Sequence, residues 1–148
     1  MIEKPSYPLY DEDFYGWAMA NAQLLRERKM NDIDFDNLIE EIESMVGNQY
    51  NEFVNRLRLL LAHLLKWQYQ PVLQSRSWTL TLKEQRKQLQ RLIKHNPSLK
   101  SKTQQAFLEA YEEALILAER ETGLEEQTFP KNCPYTLEQC LDEEFYPE

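Results

Sequence analysis

The chain has 148 residues, of which 42% are hydrophobic and 28% charged, and a formal net charge of −8. That length suits one domain with a sizeable core, and the composition is that of a folded globular chain rather than a disordered or fibrous one. Only three glycines occur, and no long stretch alternates apolar with polar residues, which argues against a β-rich fold. No run approaches the roughly eighteen apolar residues of a membrane span. The opening MIEKPSYPLYDEDF lacks the apolar core of a signal peptide, so the expected location is the cytoplasm, with no membrane partner.

In chain order, residues 1–9 carry Pro5 and Pro8 and read as an extended lead-in. Asp11 is the expected cap of a first helix, with Glu12 and Asp13 in its first turn, where negative charge suits the helix dipole. Phe14, Trp17, Ala18, Leu24 and Leu25 would form its inner face, and RERKM its cationic end. A second helix begins near Asp34, with Phe35, Leu38, Ile39, Ile42, Met45 and Val46 facing inward and Glu40, Glu41 and Glu43 outward or at the boundary. A bend is expected at Gly47-Asn48. Without it, residues 34–70 would form one rod of about 55 Å at ~1.5 Å per residue, long for a domain of this size.

The chain is organised around Asn48–Arg91. In NQYNEFVNRLRLLLAHLLKWQYQ, residues Tyr50, Phe53, Val54, Leu57, Leu60, Leu61, Leu64 and Leu65 recur at the steps of one helix face. Pro71 stops that helix, because proline lacks an N–H and clashes with the preceding turn. A fourth helix, SWTLTLKEQRKQLQRLIK, carries Trp78, Leu82, Leu89, Leu92 and Ile93 on one face, with Ser77 as its expected cap and Trp78 sealing the bundle end. The short connection implies an antiparallel pair. A turn centred near Leu73-Gln74 would place Glu84 level with His63. Asn96 and Pro97 open a fifth helix rich in alanine, and Gly123 closes it. Residues 124–135 read as an ordered loop pinned by Phe129 and Tyr135. Thr136 and Gln139 form a capping box for a short last helix. The fold class is all-α: an antiparallel bundle of about five helices plus a short C-terminal one, in a single domain over 1–148.

Charge falls in blocks. Residues 1–54 hold four Lys/Arg and twelve Asp/Glu, residues 55–102 hold eleven Lys/Arg and one acid (Glu84), and residues 103–148 hold two Lys/Arg and twelve acids. Lys83, Lys87, Arg91 and Lys94 make a stripe opposite the apolar face of the fourth helix. It is either a face for nucleic acid or another polyanion, or a block neutralised internally by the acidic flanks, and overall acidity favours the second.

Candidates for chemistry are few. His63 lies one turn before Lys66 and Trp67, and Glu84 would pair with one of the two cations. His63 with Glu40 or Glu43 is the alternative of a metal-dependent enzyme, but no Glu-x-x-His step occurs, and His95, the other histidine, sits at a helix end. No metal site and no cofactor are expected. No Gly-x-Ser-x-Gly and no phosphate-binding glycine loop is present. Cys133 and Cys140 read as reduced thiols filling small spaces. Arg76 and Trp78, in the turn QPVLQSRSW, could offer a cation and a flat ring to a ligand, or close the bundle.

YDEDFYGWA, LIEEIESM, LLAHLLKWQYQP, SRSW with the following KEQR, and the closing FPKNCPYTLEQCLDEEFYPE resemble the bacterial family called domain of unknown function 29. The resemblance runs in order from about Tyr10 to the end. It implies a compact helical domain and brings no reaction, so no catalytic residue is carried over. Within the resembling segments, Glu40, Glu41, His63, Lys66, Trp67, Arg76 and Trp78 are the expected region of a shared site. The expected role is a non-enzymatic binding or regulatory module with a protein partner, a second copy included; nucleic-acid association through the cationic stripe is the runner-up.

Overall fold

The computed structural model describes residues 7–148 and contains five α-helices and, among these residues, no strand. They are α1 (Phe14–Arg26), α2 (Phe35–Tyr69), α3 (Arg76–His95), α4 (Thr103–Thr122) and the short α5 (Leu137–Leu141). The all-α class read from the sequence is the observed one. Of the expected lead-in, Met1–Ser6 lie outside the described residues. The chain divides into two compact units, with the boundary at Val46 and Gly47.

In the first unit, α1 is capped by Asp13, whose carboxylate accepts the Gly16 N–H at 3.0 Å, and not by Asp11. The shift has a local cause. The N–H groups of Glu12 and Asp13 both donate to the Leu9 carbonyl, so a turn occupies the residues expected to start the helix. Trp17 is 2% exposed and anchors this unit. Its indole donates to Asp34 at 2.9 Å, and the buried Asn21 amide bridges the Trp17 carbonyl and the Asp34 N–H. Asp34 also accepts from the backbone and side chain of Asn37, which caps α2 where the sequence places its start. Burial pushes the Asp34 pKa up, but the hydrogen bonds from Asn37 and Trp17 outweigh it and hold the carboxyl below its ordinary value. Phe14 and Leu25, expected inside, are exposed.

The expected bend at Gly47 is absent: α2 is one helix of 35 residues. Gly47 does not take the left-handed conformation that would end a helix; Gly123 is the only glycine with positive φ among the described residues. The expected second and third helices are therefore one. A Cβ at Gly47 would meet nothing within 4 Å. Gly47→Ala is expected to stabilise the protein by about 0.5–1 kcal/mol, because glycine in a helix interior carries that entropic cost. Urea unfolding measures it; a loss of stability would mean the helix does not run through this point in solution.

The second unit packs the Gly47–Tyr69 part of α2 with α3, α4, α5 and the segments between them. The α2 stripe is as expected: Phe53, Val54, Leu57, Leu60, Leu61, Leu64 and Leu65 are all buried. α2 ends at Tyr69, just before Pro71, and a single 3-10 turn (Pro71–Leu73) leads to α3. Ser75, not Ser77, caps α3 by accepting the Trp78 N–H. The contacts Gln49–Asn96, Arg56–Gln85 and Lys66–Trp78 show α2 and α3 antiparallel and centre their turn near Val72. Tyr50–Glu109, Arg58–Glu113 and Lys66–Glu121 show α4 running parallel to α2, as an up-down-up bundle requires.

Asn96 ends α3, its side chain donating back to the Leu92 carbonyl, so it does not cap the next helix. Pro97 begins a 3-10 segment (Pro97–Lys102), and α4 follows from Thr103. Ala106, Ala110, Ala114 and Ala118 line the buried face of α4 at zero exposure, so its backbone lies close to its neighbours. Gly123 closes α4 at φ 74°, and the Thr136–Gln139 capping box opens α5. Phe129 and Tyr135 are buried and hold the loop between them.

Candidate functional site

The expected site residues are distributed over both units. Glu40 and Glu41 belong to the first unit, where the Tyr10 hydroxyl donates to Glu41 and Glu40 is exposed. That bond pushes the Tyr10 pKa up to about 12. The remaining residues lie in the second unit. Lys66 meets Trp78 there, its ammonium 4.8 Å from the ring centroid, and pairs with Glu121 on α4 at 2.7 Å. Glu84, the partner expected for His63 or Lys66, is exposed and joins no ion pair with a described residue. The reason is register: with the turn centred near Val72 instead of Leu73-Gln74, the position level with His63 moves toward the N-terminal end of α3, away from Glu84.

His63 is half-buried, and its Nδ1 lies 2.9 Å from the Leu59 carbonyl one turn earlier, where the neutral ring donates. Burial lowers its pKa below the ordinary 6.5; the Leu59 carbonyl opposes the shift, Lys66 reinforces it and Glu121 opposes it. The native state then binds fewer protons at His63 than the unfolded chain does. Acidification from neutral pH through about 6.5 is therefore expected to remove stability, and His63→Gln to make that part of the pH dependence disappear. Urea midpoints of both proteins between pH 8 and 5.5 give the difference; parallel curves would refute it.

Trp67 packs at a tilt against Tyr146 with ring centroids 5.0 Å apart, and Arg76, the first residue of α3, is exposed. Among the described residues no group of three or more His, Cys, Asp or Glu side chains is placed to hold a metal ion. Both thiols are free and inward. Burial pushes the Cys133 pKa up to about 11 and the Cys140 pKa higher still, so neither is a ready nucleophile.

The cationic stripe has a different environment. Lys83, Lys87, Arg91 and Lys94 are all exposed on α3 and take part in no ion pair with a described residue. The internal neutralisation expected of the acidic flanks is real on α2, where Arg58 meets Glu113 and Lys66 meets Glu121. It does not extend to the outer face of α3. At the C-terminal end of that face, Gln90, Ile93, Lys94, Pro97 and Lys100 surround a hollow of about 380 Å³.

Sequence reasoning missed Arg86. It is 1% exposed, on the apolar side of α3 between Leu82 and Leu89. Its guanidinium donates to the carbonyls of Cys140 (2.8 Å), Glu143 (3.4 Å) and Phe145 (2.6 Å) and lies over the Tyr146 ring. The available signal was its spacing, four residues after Leu82 and three before Leu89, which puts a cation on the inner face.

No helix among the described residues is long and apolar enough to cross a membrane. No curated protein and no solved structure shows significant similarity to the chain. Residues 9–146, nearly the whole sequence and both units, match a single family. Given that match and the all-helical fold, the chain belongs to the family described as Domain of unknown function DUF29.

Proposed function

We propose that this protein is a non-enzymatic docking module that engages an acidic partner protein through the outer face of α3. One observation carries the reading: four cations, Lys83, Lys87, Arg91 and Lys94, stand exposed with no carboxylate among the described residues paired to them. They span about 16 Å of helix, at ~1.5 Å per residue. Their steps of three and four residues match the spacing of carboxylates along one face of a partner helix. A polynucleotide is the weaker fit, because its charge extends past the ridge toward a protein whose net charge is −8.

The test is fluorescence anisotropy with a glutamate-rich helical peptide of about four turns. Binding is expected at low ionic strength, fading as salt screens the charges. The double variant Lys87→Glu/Arg91→Glu is expected to weaken it about tenfold or more. No binding at low salt, or binding indifferent to the double variant, overturns the proposal. Tighter binding of a DNA duplex of similar length replaces it with the nucleic-acid reading.

A further inference from the structure

In the first unit, α2 carries an apolar stripe left exposed by the described residues. Phe35, Ile39, Ile42, Met45 and Val46, the face expected to point inward, are between 43% and 68% exposed. At 3.6 residues per turn these five share an arc of about 120°. Scattered exposed apolar residues are ordinary, but five large ones side by side on one helix form a contiguous patch of the kind that marks an interaction site. The stripe has acidic rims. Asp36 and Glu43 flank one side and Glu41 the other. Asp36, Glu40 and Glu43 are exposed and in no ion pair with a described residue.

We infer that this stripe is the seat of a basic amphipathic helix from another protein: an apolar face for the groove, with Lys or Arg along its edges for Asp36, Glu41 and Glu43. Neither the same stripe nor α3 of a second copy supplies that occupant. A second copy docking through the same stripe sets acid against acid along both edges. A second copy docking through α3 brings the cations, but Leu80 is the only large apolar side chain exposed on that helix, too little to cover five. A foreign helix that combines both features matches the stripe and its rims together. This surface is independent of the α3 face and opposite to it in character.

The probe is a synthetic helical peptide of about three heptads, with leucine at a and d and lysine at e and g; a control peptide has glutamate in place of lysine. The lysine peptide is expected to bind the whole protein and the glutamate peptide not to. Ile42→Glu separates the possible causes. It adds negative charge, so it strengthens a purely electrostatic contact and weakens one seated on apolar surface. The inference expects a loss of roughly tenfold or more, with an unchanged circular dichroism spectrum because the position is exposed. Ile116→Glu, at an exposed apolar site on α4, is expected to leave binding unchanged. Absence of binding by the lysine peptide overturns the inference, as does binding that Ile42→Glu strengthens or leaves alone. So does a wild-type dimer, seen by light scattering, that Ile42→Glu turns into a monomer and that excludes the peptide; the occupant is then a second copy.

Discussion

Arg86→Met is expected to lower the unfolding free energy by about 3 kcal/mol. The guanidinium is nearly inaccessible, and its donors go to main-chain carbonyls rather than to a carboxylate. Burial lowers its pKa, opposed by Tyr146, Cys140, Asp142 and Glu143, yet an arginine stays charged at neutral pH. Methionine fills similar space but donates nothing. The Cys140 and Phe145 carbonyls then lose their partner, at roughly 1–3 kcal/mol for each buried acceptor left unsatisfied. Glu143 is exposed, so its carbonyl can take water. The Tyr146 ring loses its cation and keeps Trp67. Arg86→Lys should recover only part of the loss, because an ammonium cannot reproduce the planar fork that spans several oxygens. Urea unfolding gives the three values. A methionine variant within about 0.5 kcal/mol of wild type, the range of an ordinary surface change, would mean the clamp contributes nothing.

The second large effect is a contrast within one helix. Leu61 has no exposed surface and lies in the core of the second unit, whereas Ile42 is more than half exposed in the first. Leu61→Ala should cost about 2–5 kcal/mol, from lost transfer energy plus the cavity left behind. Ile42→Ala should stay within about 0.5 kcal/mol, as for a surface position. Both measurements use the same denaturant series. A cost above roughly 2 kcal/mol for Ile42→Ala would show its side chain covered in solution, consistent with self-association.

The two positions also show what was legible. The spacing of apolar residues runs unbroken from Phe35 through Leu65, and it identified a helix face along the whole of α2. Spacing says which residues share a face; it does not say whether another element arrives to cover it. Signals that act within a few residues read well: Pro71 after the last turn of α2, Gly123 at φ 74°, and the Thr136–Gln139 box. Asp11 and Asp13 are chemically equal caps in the sequence, and the turn onto the Leu9 carbonyl chooses between them. Gly47 signals a break in the sequence, yet its cost in a helix is only about 1 kcal/mol, which a helix of 35 residues absorbs.

Contacts between helices were the least legible. An error of one or two residues in the centre of the α2–α3 turn displaces the facing partner by twice as many positions. That is why Glu84 was chosen for His63 and Lys66, while Glu121 on α4 holds Lys66. The cationic ridge is exposed and joins no ion pair with a described residue, and its shared face was legible because it depends only on helix periodicity. The set Glu40, His63, Arg76 and Trp78 required convergence in three dimensions. Within the second unit, the pair that meets is Lys66 and Trp78.

The grip of Arg86 has a consequence for how this region tolerates change. Its three acceptors, on Cys140, Glu143 and Phe145, are main-chain oxygens, and every amino acid supplies one. Altering the side chains at Glu143 or Glu144 therefore leaves the acceptors in place. Adding or deleting one residue between Cys140 and Phe145 would throw them out of step with the guanidinium. Among natural variants of this stretch, spelling is expected to drift while length stays fixed.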